Sequence, residues 1–263
     1  MIKPSSFLIF TPCDDGHKFC FWQSIRAFEN AYRDGTLNTP HHFDVIQIPG
    51  DSLVPRARNN FAEQFLSMTG AEYLLSLDSD LDFRPDDLVT MADLAVRFDL
   101  SILCGLYAIK QDEMRWCINS IMGKEVDKTT GLQEISMAPG GFNLVHRRVF
   151  NAMRAAAPEW PHWAVQYNED ESLKLMHNYY YNGVVVDEQE WPDKPLGRYL
   201  SEDWGFSYFA RKLGFKIFAH VRTVALHRGE CFYPRQARRL TREETEAQAI
   251  KQADGSTTAI TKA

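Results

Sequence analysis

The sequence predicts an α/β fold: a mostly parallel sheet flanked by helices, with one long irregular excursion late in the chain. Three observations predict it. Between Phe7 and Ile109, short apolar runs of strand length alternate with stretches whose apolar residues recur at near-helical spacing. The third run, Tyr73–Leu77, ends in two carboxylates, Asp78 and Asp80, as expected where a buried strand leaves a sheet at a ligand-binding mouth. The stretch 158–200 then loses all periodicity and gathers Trp160, Trp163, Tyr167, Tyr179, Tyr180, Tyr181, Trp191 and Tyr199.

Taken in order, FLIFT at Phe7–Thr11 is a buried strand, closed by Pro12 and the turn Asp14-Asp15-Gly16. Phe21, Ile25, Phe28 and Tyr32 mark a helix that Asp34-Gly35 stops. Phe43–Pro49 alternates as a second strand. Gly50-Asp51-Ser52 turns into a helix through Pro55–Asn60, Phe61, Phe65 and Leu66. After the Asp78/Asp80 strand, Pro85-Asp86-Asp87 opens a helix through Leu88, Met91, Leu94 and Ala95, and Ser101–Ile109 is a fourth strand. This β-α-β-α-β-α-β order predicts parallel strands with helices on both faces.

Beyond it, 110–133 is polar, with Trp116 and Ile118 hinting at a strand that pairs across. Pro139-Gly140-Gly141 precede a short strand, and Arg147–Ala157 reads as a helix. Ser201 is placed to cap a helix with Glu202 and Asp203 in its first turn, ending at Gly214. Lys216–Leu226 is a last strand, followed by His227-Arg228-Gly229. The expected organisation is one domain over 1–234, with 158–200 as a lid or binding loop, and a polar tail over 235–263. The tail holds a capping box at Thr241–Glu244 and a short helix over 242–252.

No apolar segment approaches the roughly 18–20 residues that span a bilayer. Five cysteines without a C-x-x-C pair suggest neither a disulfide framework nor a zinc site, and fit a reducing, cytoplasmic setting. A net charge of −6 gives no general pull towards nucleic acid.

The chemistry gathers at element ends. Two carboxylates one residue apart can share a divalent cation that bridges phosphates; the plain alternative is a solvated turn with helix-capping aspartates. His227 adds an imidazole ligand, which tilts the choice from Mg²⁺ towards Mn²⁺, or else it is a capping or core histidine. Glu202 and Asp203 are helix-start acids or a general base at a positively polarised helix end. Arg58, beside Asn59, can offer its guanidinium fork to a diphosphate or sit on a solvated face. Gly140 and Gly141 allow close backbone approach to a ligand, or only a turn.

Together LDSD, the upstream RARNN helix, the Gly-Gly segment, SEDWGFSYFARKLG and the late LHRG resemble a GT-A (Rossmann-like) glycosyltransferase of the family-2-like kind, over roughly Phe7 to His227. The resemblance implies transfer of a sugar from a nucleotide-diphosphate donor, a UDP-sugar favoured, to an acceptor hydroxyl, with inversion. By it Asp78, Asp80 and His227 hold Mn²⁺ or Mg²⁺, with Asp78 and Ser79 towards the nucleotide. Thr11, Pro12 and Asp14 hold the nucleoside with Arg58 and Asn59 close by. Asp203, assisted by Glu202, deprotonates the acceptor, which Gly140, Gly141 and Trp204 contact. The chain also looks like compact glycosyltransferases of bacteriophages, some of which modify hydroxymethylated DNA bases. The acceptor is therefore a glycan or DNA, and Arg235, Arg238, Arg239 and Arg242 form a phosphate-contacting stripe if it is DNA. A nucleotidyltransferase and a non-catalytic carbohydrate- or nucleotide-binding module are the competing readings. TPCDDGHK lacks the glycine-rich phosphate loop the former would carry.

Overall fold

Apolar strands buried on both faces need helices on both sides, and the chain supplies them. The computed structural model describes residues 3–13, 19–49, 53–68, 70–111, 115–157, 163–167, 173–229 and 232–233. Asp14, the turn 50–52, Trp160, and the tail with its four arginines and 242–252 helix lie outside the described residues. In chain order the elements are β1 (Ser6–Cys13), α1 (Phe19–Arg33), β2 (His42–Pro49), α2 (Val54–Met68), β3 (Tyr73–Leu77), β4 (Leu81–Asp82) and α3 (Pro85–Arg97). There follow β5 (Ile102–Tyr107), β6 (Asn119–Ser120), β7 (Leu132–Met137), β8 (Phe142–His146), α4 (Arg147–Ala156), β9 (Trp163–Tyr167) and β10 (Leu173–His177). The last are β11 (Gly183–Val185), β12 (Arg198–Leu200), α5 (Glu202–Lys212), β13 (Ile217–Arg228) and β14 (Phe232–Tyr233).

The main sheet runs β2-β1-β3-β8-β5-β13-β7-β6, with β4 and β14 paired to β13 off that path. Successive side chains of a strand point to opposite faces, and the two cores divide accordingly. Leu8, Phe10, Leu74, Ile102 and Cys104 pack with Phe61 and Phe65 of α2, Phe150 of α4 and Phe206 of α5. Phe7, Ile9, Leu75, Leu77 and Leu103 pack on the other face with Phe21, Ile25 and Phe28 of α1 and Leu88, Met91 and Ala95 of α3. Each such large apolar side chain, taken out of water, contributes about 1.5–3 kcal/mol.

Two expectations need correction. The sheet is mixed rather than mostly parallel. β1 pairs β2 and β3 in parallel and β5 pairs β13 in parallel, but β8 inserts antiparallel between β3 and β5, and β7 lies antiparallel on β13. An apolar run reports burial on both faces and carries no signal for direction. The excursion is also more regular than expected, with β9 pairing β10 and β11 pairing β12, both antiparallel. Tyr179 and Tyr180 of this segment are core residues, with Tyr180 stacked on Phe206 at 4.8 Å between ring centres. Among the described residues no helix is long and apolar enough to cross a membrane.

Candidate active site

Arg58, Phe61, Ala62 and Phe65 fall on one stripe of α2 at i, i+3, i+4 and i+7. The three apolar residues enter the core, so Arg58 enters with them and is only 3% exposed. On β3 the residues facing α2 alternate as Leu74, Ser76 and, one step past the strand, Asp78. Arg58 Nη1 donates to Ser76 Oγ at 2.7 Å and to the Gly140 carbonyl at 2.8 Å, and Nη2 donates to Asp78 Oδ1 at 2.7 Å. Burial opposes the guanidinium charge, but Asp78, Tyr180 and Glu202 together hold its pKa above the ordinary value. Its Nε is buried without a hydrogen bond, and Glu202 Oε1 lies 3.8 Å away.

Gly140 and Gly141 make this pairing sterically possible. A Cβ at Gly140 would come within 2.9 Å of Arg58 Cζ, and one at Gly141 would overlap Asp78 Oδ2 and approach Tyr107 Oη to 2.8 Å. The Gly141 carbonyl accepts from the Asp78 amide at 2.8 Å, and its N–H donates to Tyr107 Oη at 3.2 Å. Burial, then the nearby Asp78 charge, pushes the Tyr107 phenol well above its ordinary pKa, so Tyr107 is a neutral hydroxyl at the site.

The turn after β3 carries Asp80 to β13. Its carbonyl accepts from the Arg228 amide at 2.8 Å, and β4 pairs Leu81 with His227. His227 Nδ1 lies 2.8 Å from the Ala108 carbonyl, which can only accept, so Nδ1 carries a proton. Nε2 is then the ring nitrogen towards Asp80, 3.5 Å from Oδ2. Lys110 Nζ donates to the same Oδ2. Burial pushes the Asp80 carboxyl up, but hydrogen bonds from His227 and Lys110 bring it below the ordinary value, so it is an anion.

From the other side, α5 brings in its first turn. Burial, then the neighbouring Asp203, raises the Glu202 pKa. Asp203 Oδ1 accepts from Ser201 Oγ and from the Trp204 amide, the latter at 2.8 Å. Ser201 stands at the expected N-cap, although its hydroxyl serves Asp203 instead of a backbone N–H. Cys117 is close enough to feel both Asp203 and Asp78; burial first, then those charges, pushes its thiol up to about 12, so it is not a thiolate.

No family model and no curated protein sequence matches the chain. Among solved structures it is similar to A197 from STIV, at 15% identity and a TM-score of 0.49 over 85% of each chain. It is also similar to GalNAc-T7, a structure with UDP, GalNAc and Mn²⁺, at 11% identity and a TM-score of 0.48, over 85% of this chain and 43% of that one. The chain thus spans less than half the length of the second. These are likenesses of overall shape.

Set against the sequence reading, Arg58, Asp78, Gly140, Gly141 and Glu202 converge on one cluster, and Asp80 with His227 on a second beside it. Arg58 holds Oδ1 of Asp78, whereas Asp80 Oδ2 faces His227. Among the described residues no group of three or more His, Cys, Asp or Glu is arranged to hold a metal. The remaining pair nonetheless offers the donor types that a divalent cation such as Mn²⁺ takes, one carboxylate oxygen and one imidazole nitrogen facing each other at 3.5 Å.

The other residues of the sequence reading are placed as follows. Thr11 and Pro12 are buried within β1, which runs on past Pro12 to Cys13, and Thr11 Oγ1 has no hydrogen-bond partner. Asn59 is bonded within the protein: its amide donates to Asn178 Oδ1 at 2.7 Å, and its Oδ1 accepts from the Tyr180 N–H at 2.9 Å. Gly140 and Gly141 are buried against Arg58 and Asp78. Ser79 lies, half-buried, in the turn, and Trp204 stacks under Arg198, 4.8 Å from Cζ to ring centre.

Sequence reasoning missed Tyr107, Lys110, Cys117 and Glu63. Tyr107 and Lys110 do close the fourth apolar run, the position that singled out Asp78 and Asp80 on the third. Glu63, one turn after Asn59, had no signal beyond helical spacing. Its carboxylate gathers Arg154 Nη2 at 2.5 Å, His177 Nδ1 at 2.9 Å and Tyr179 Oη at 2.9 Å, so that α2 and α4 clamp the excursion.

Proposed function

We propose that the chain is a metal-dependent glycosyltransferase that moves a sugar from a nucleotide-diphosphate donor, a UDP-sugar favoured, to an acceptor hydroxyl. The observation that supports it is the approach of Asp80 and His227 to 3.5 Å beside the buried Arg58–Asp78 pair, at the mouth where β3 ends. Four segments remote in sequence contribute charge there, and a solvated turn needs none of them. Mn²⁺ or Mg²⁺ held by Asp80 and His227 would supply Lewis-acid neutralisation of a leaving diphosphate.

The chain's own residues do the rest. Arg58 orients Asp78 and hence the donor side of the cleft, rather than reaching the diphosphate itself. Ser201 and the Trp204 amide bond Asp203 Oδ1, leaving Oδ2 to take the acceptor's proton. A base on the acceptor side fits direct displacement with inversion. Glycan and hydroxymethylated DNA base remain the two acceptor classes under this reading, and strong salt dependence of acceptor binding would mark DNA.

The test is donor hydrolysis across a panel of nucleotide sugars with Mn²⁺, with Mg²⁺ and with chelator, beside Asp80→Ala. Slow, metal-dependent release of a nucleoside diphosphate from one donor, lost in Asp80→Ala, is the expected result. No turnover of any donor, together with no metal-dependent nucleotide binding, would overturn the reading in favour of a binding module.

A further inference from the structure

We propose that Lys110 is the resident counter-ion of Asp80, and that it sets the affinity of the site for a divalent cation by competing for that carboxylate. The inference rests on the metal-dependent reading above. Asp80 Oδ2 is the oxygen that faces His227 Nε2 at 3.5 Å, and it is the same oxygen to which Lys110 Nζ donates. A cation shared by Asp80 and His227 would therefore meet an ammonium already in place, and like charges in close approach repel strongly where water is partly excluded.

The geometry also decides which partner yields. Asp80 is tied down through its carbonyl to the Arg228 amide, and His227 is oriented by the Ala108 carbonyl. Lys110 is 37% exposed at the end of a flexible four-carbon stem, so it is the member free to swing out. One strand end thus serves the site twice: Ala108 fixes the imidazole tautomer, and Lys110, two residues on, neutralises the carboxylate until a cation displaces it. Without Lys110 the protein would hold a part-buried anion with only a weakly placed imidazole beside it, which makes a tighter but less guarded cation site.

The test is direct titration of Mn²⁺, followed by electron paramagnetic resonance without nucleotide, on the wild type, Lys110→Gln, Lys110→Arg, Asp80→Ala and Lys194→Gln. The last removes an exposed lysine paired with Asp193 and controls for net charge. Lys110→Gln is expected to bind Mn²⁺ roughly two- to fivefold more tightly, because a competing, partly exposed ion pair is gone. Lys110→Arg keeps the charge and should stay near the wild type, as should Lys194→Gln. Unchanged or weaker binding in Lys110→Gln, or an equal gain in Lys194→Gln, overturns the role of Lys110 alone. Binding that survives Asp80→Ala, or its absence from every variant, removes the cation site and takes the inference and the metal-dependent reading together.

Discussion

Arg58 Nη2 donates to Asp78 Oδ1 at 2.7 Å, joining a helix to the strand that follows it through an ion pair whose guanidinium is almost wholly buried. The two ends are unequal. Arg58 is inside the protein, whereas the Asp78 side chain keeps 29% of its surface. Removing one partner from a buried pair costs most when the charge left behind is the buried one.

Asp78→Ala, which strands the Arg58 guanidinium, should therefore lower stability by about 3–4 kcal/mol. Arg58→Met fills similar volume without charge and leaves a carboxylate that water can still reach, so it should cost clearly less. Urea denaturation of the two variants checks the order, and the reverse order would mean that the pair is solvated in solution.

Gly141→Ala forces Asp78 away from Tyr107, since the added methyl overlaps its carboxylate. We expect a loss of about 1–3 kcal/mol, the usual cost of overpacking. Donor hydrolysis should fall by about a hundredfold, because a misplacement of this size spoils positioning. Thermal melting and donor hydrolysis on the same preparation separate the two effects.

Glu63 gives a pH prediction. Burial pushes its carboxyl up, but hydrogen bonds from His177 and Tyr179 and the charge of Arg154 bring the folded pKa below the ordinary 4.5. A depressed folded pKa means stability that is present above the unfolded value and lost as pH falls through the folded one. The wild type should thus lose stability on acidification below about 4.5 more steeply than Glu63→Gln. Denaturation midpoints across that range, with hydrogen exchange over 173–185 as a local probe, would register it.

Glu202 has the opposite sign. Burial and the neighbouring Asp203 raise its pKa, so its ionised form is worse off in the folded protein than in the unfolded chain. That penalty is fully present above the folded pKa and fades as the pH falls through it towards the unfolded 4.5. Glu202→Gln should therefore raise the urea midpoint at neutral pH, and the gain should shrink on acidification. A lowered midpoint at neutral pH would show that its attraction to Arg58 outweighs the burial.

Much of this architecture was legible beforehand. The helices came from apolar spacing: Phe21, Ile25 and Phe28 in α1, and Leu88, Met91 and Ala95 in α3, face the core as expected. Strand positions came from apolar runs, and the importance of Asp78 and Asp80 from their place at the end of one. These are local signals, because burial selects side chains residue by residue and the 3.6 and 2.0 periods fold the choice into the sequence.

Direction and partnership were decided only in three dimensions. Nothing in FNLVH says that β8 runs antiparallel between β3 and β5, since a strand buried on both faces is equally apolar in either direction. Nothing near LDSD says that Asp78 turns to Arg58 while Asp80 turns to Lys110 and His227. These two carboxylates, one residue apart, diverge because Asp78 continues the face of β3 that meets α2 while the turn at Ser79 and Asp80 changes the chain's direction, and the groups that meet them come from α2, the segment after β5, and β13. Side-chain pairing at a site is a property of the sheet order, and the sheet order is set by the packing of the whole chain.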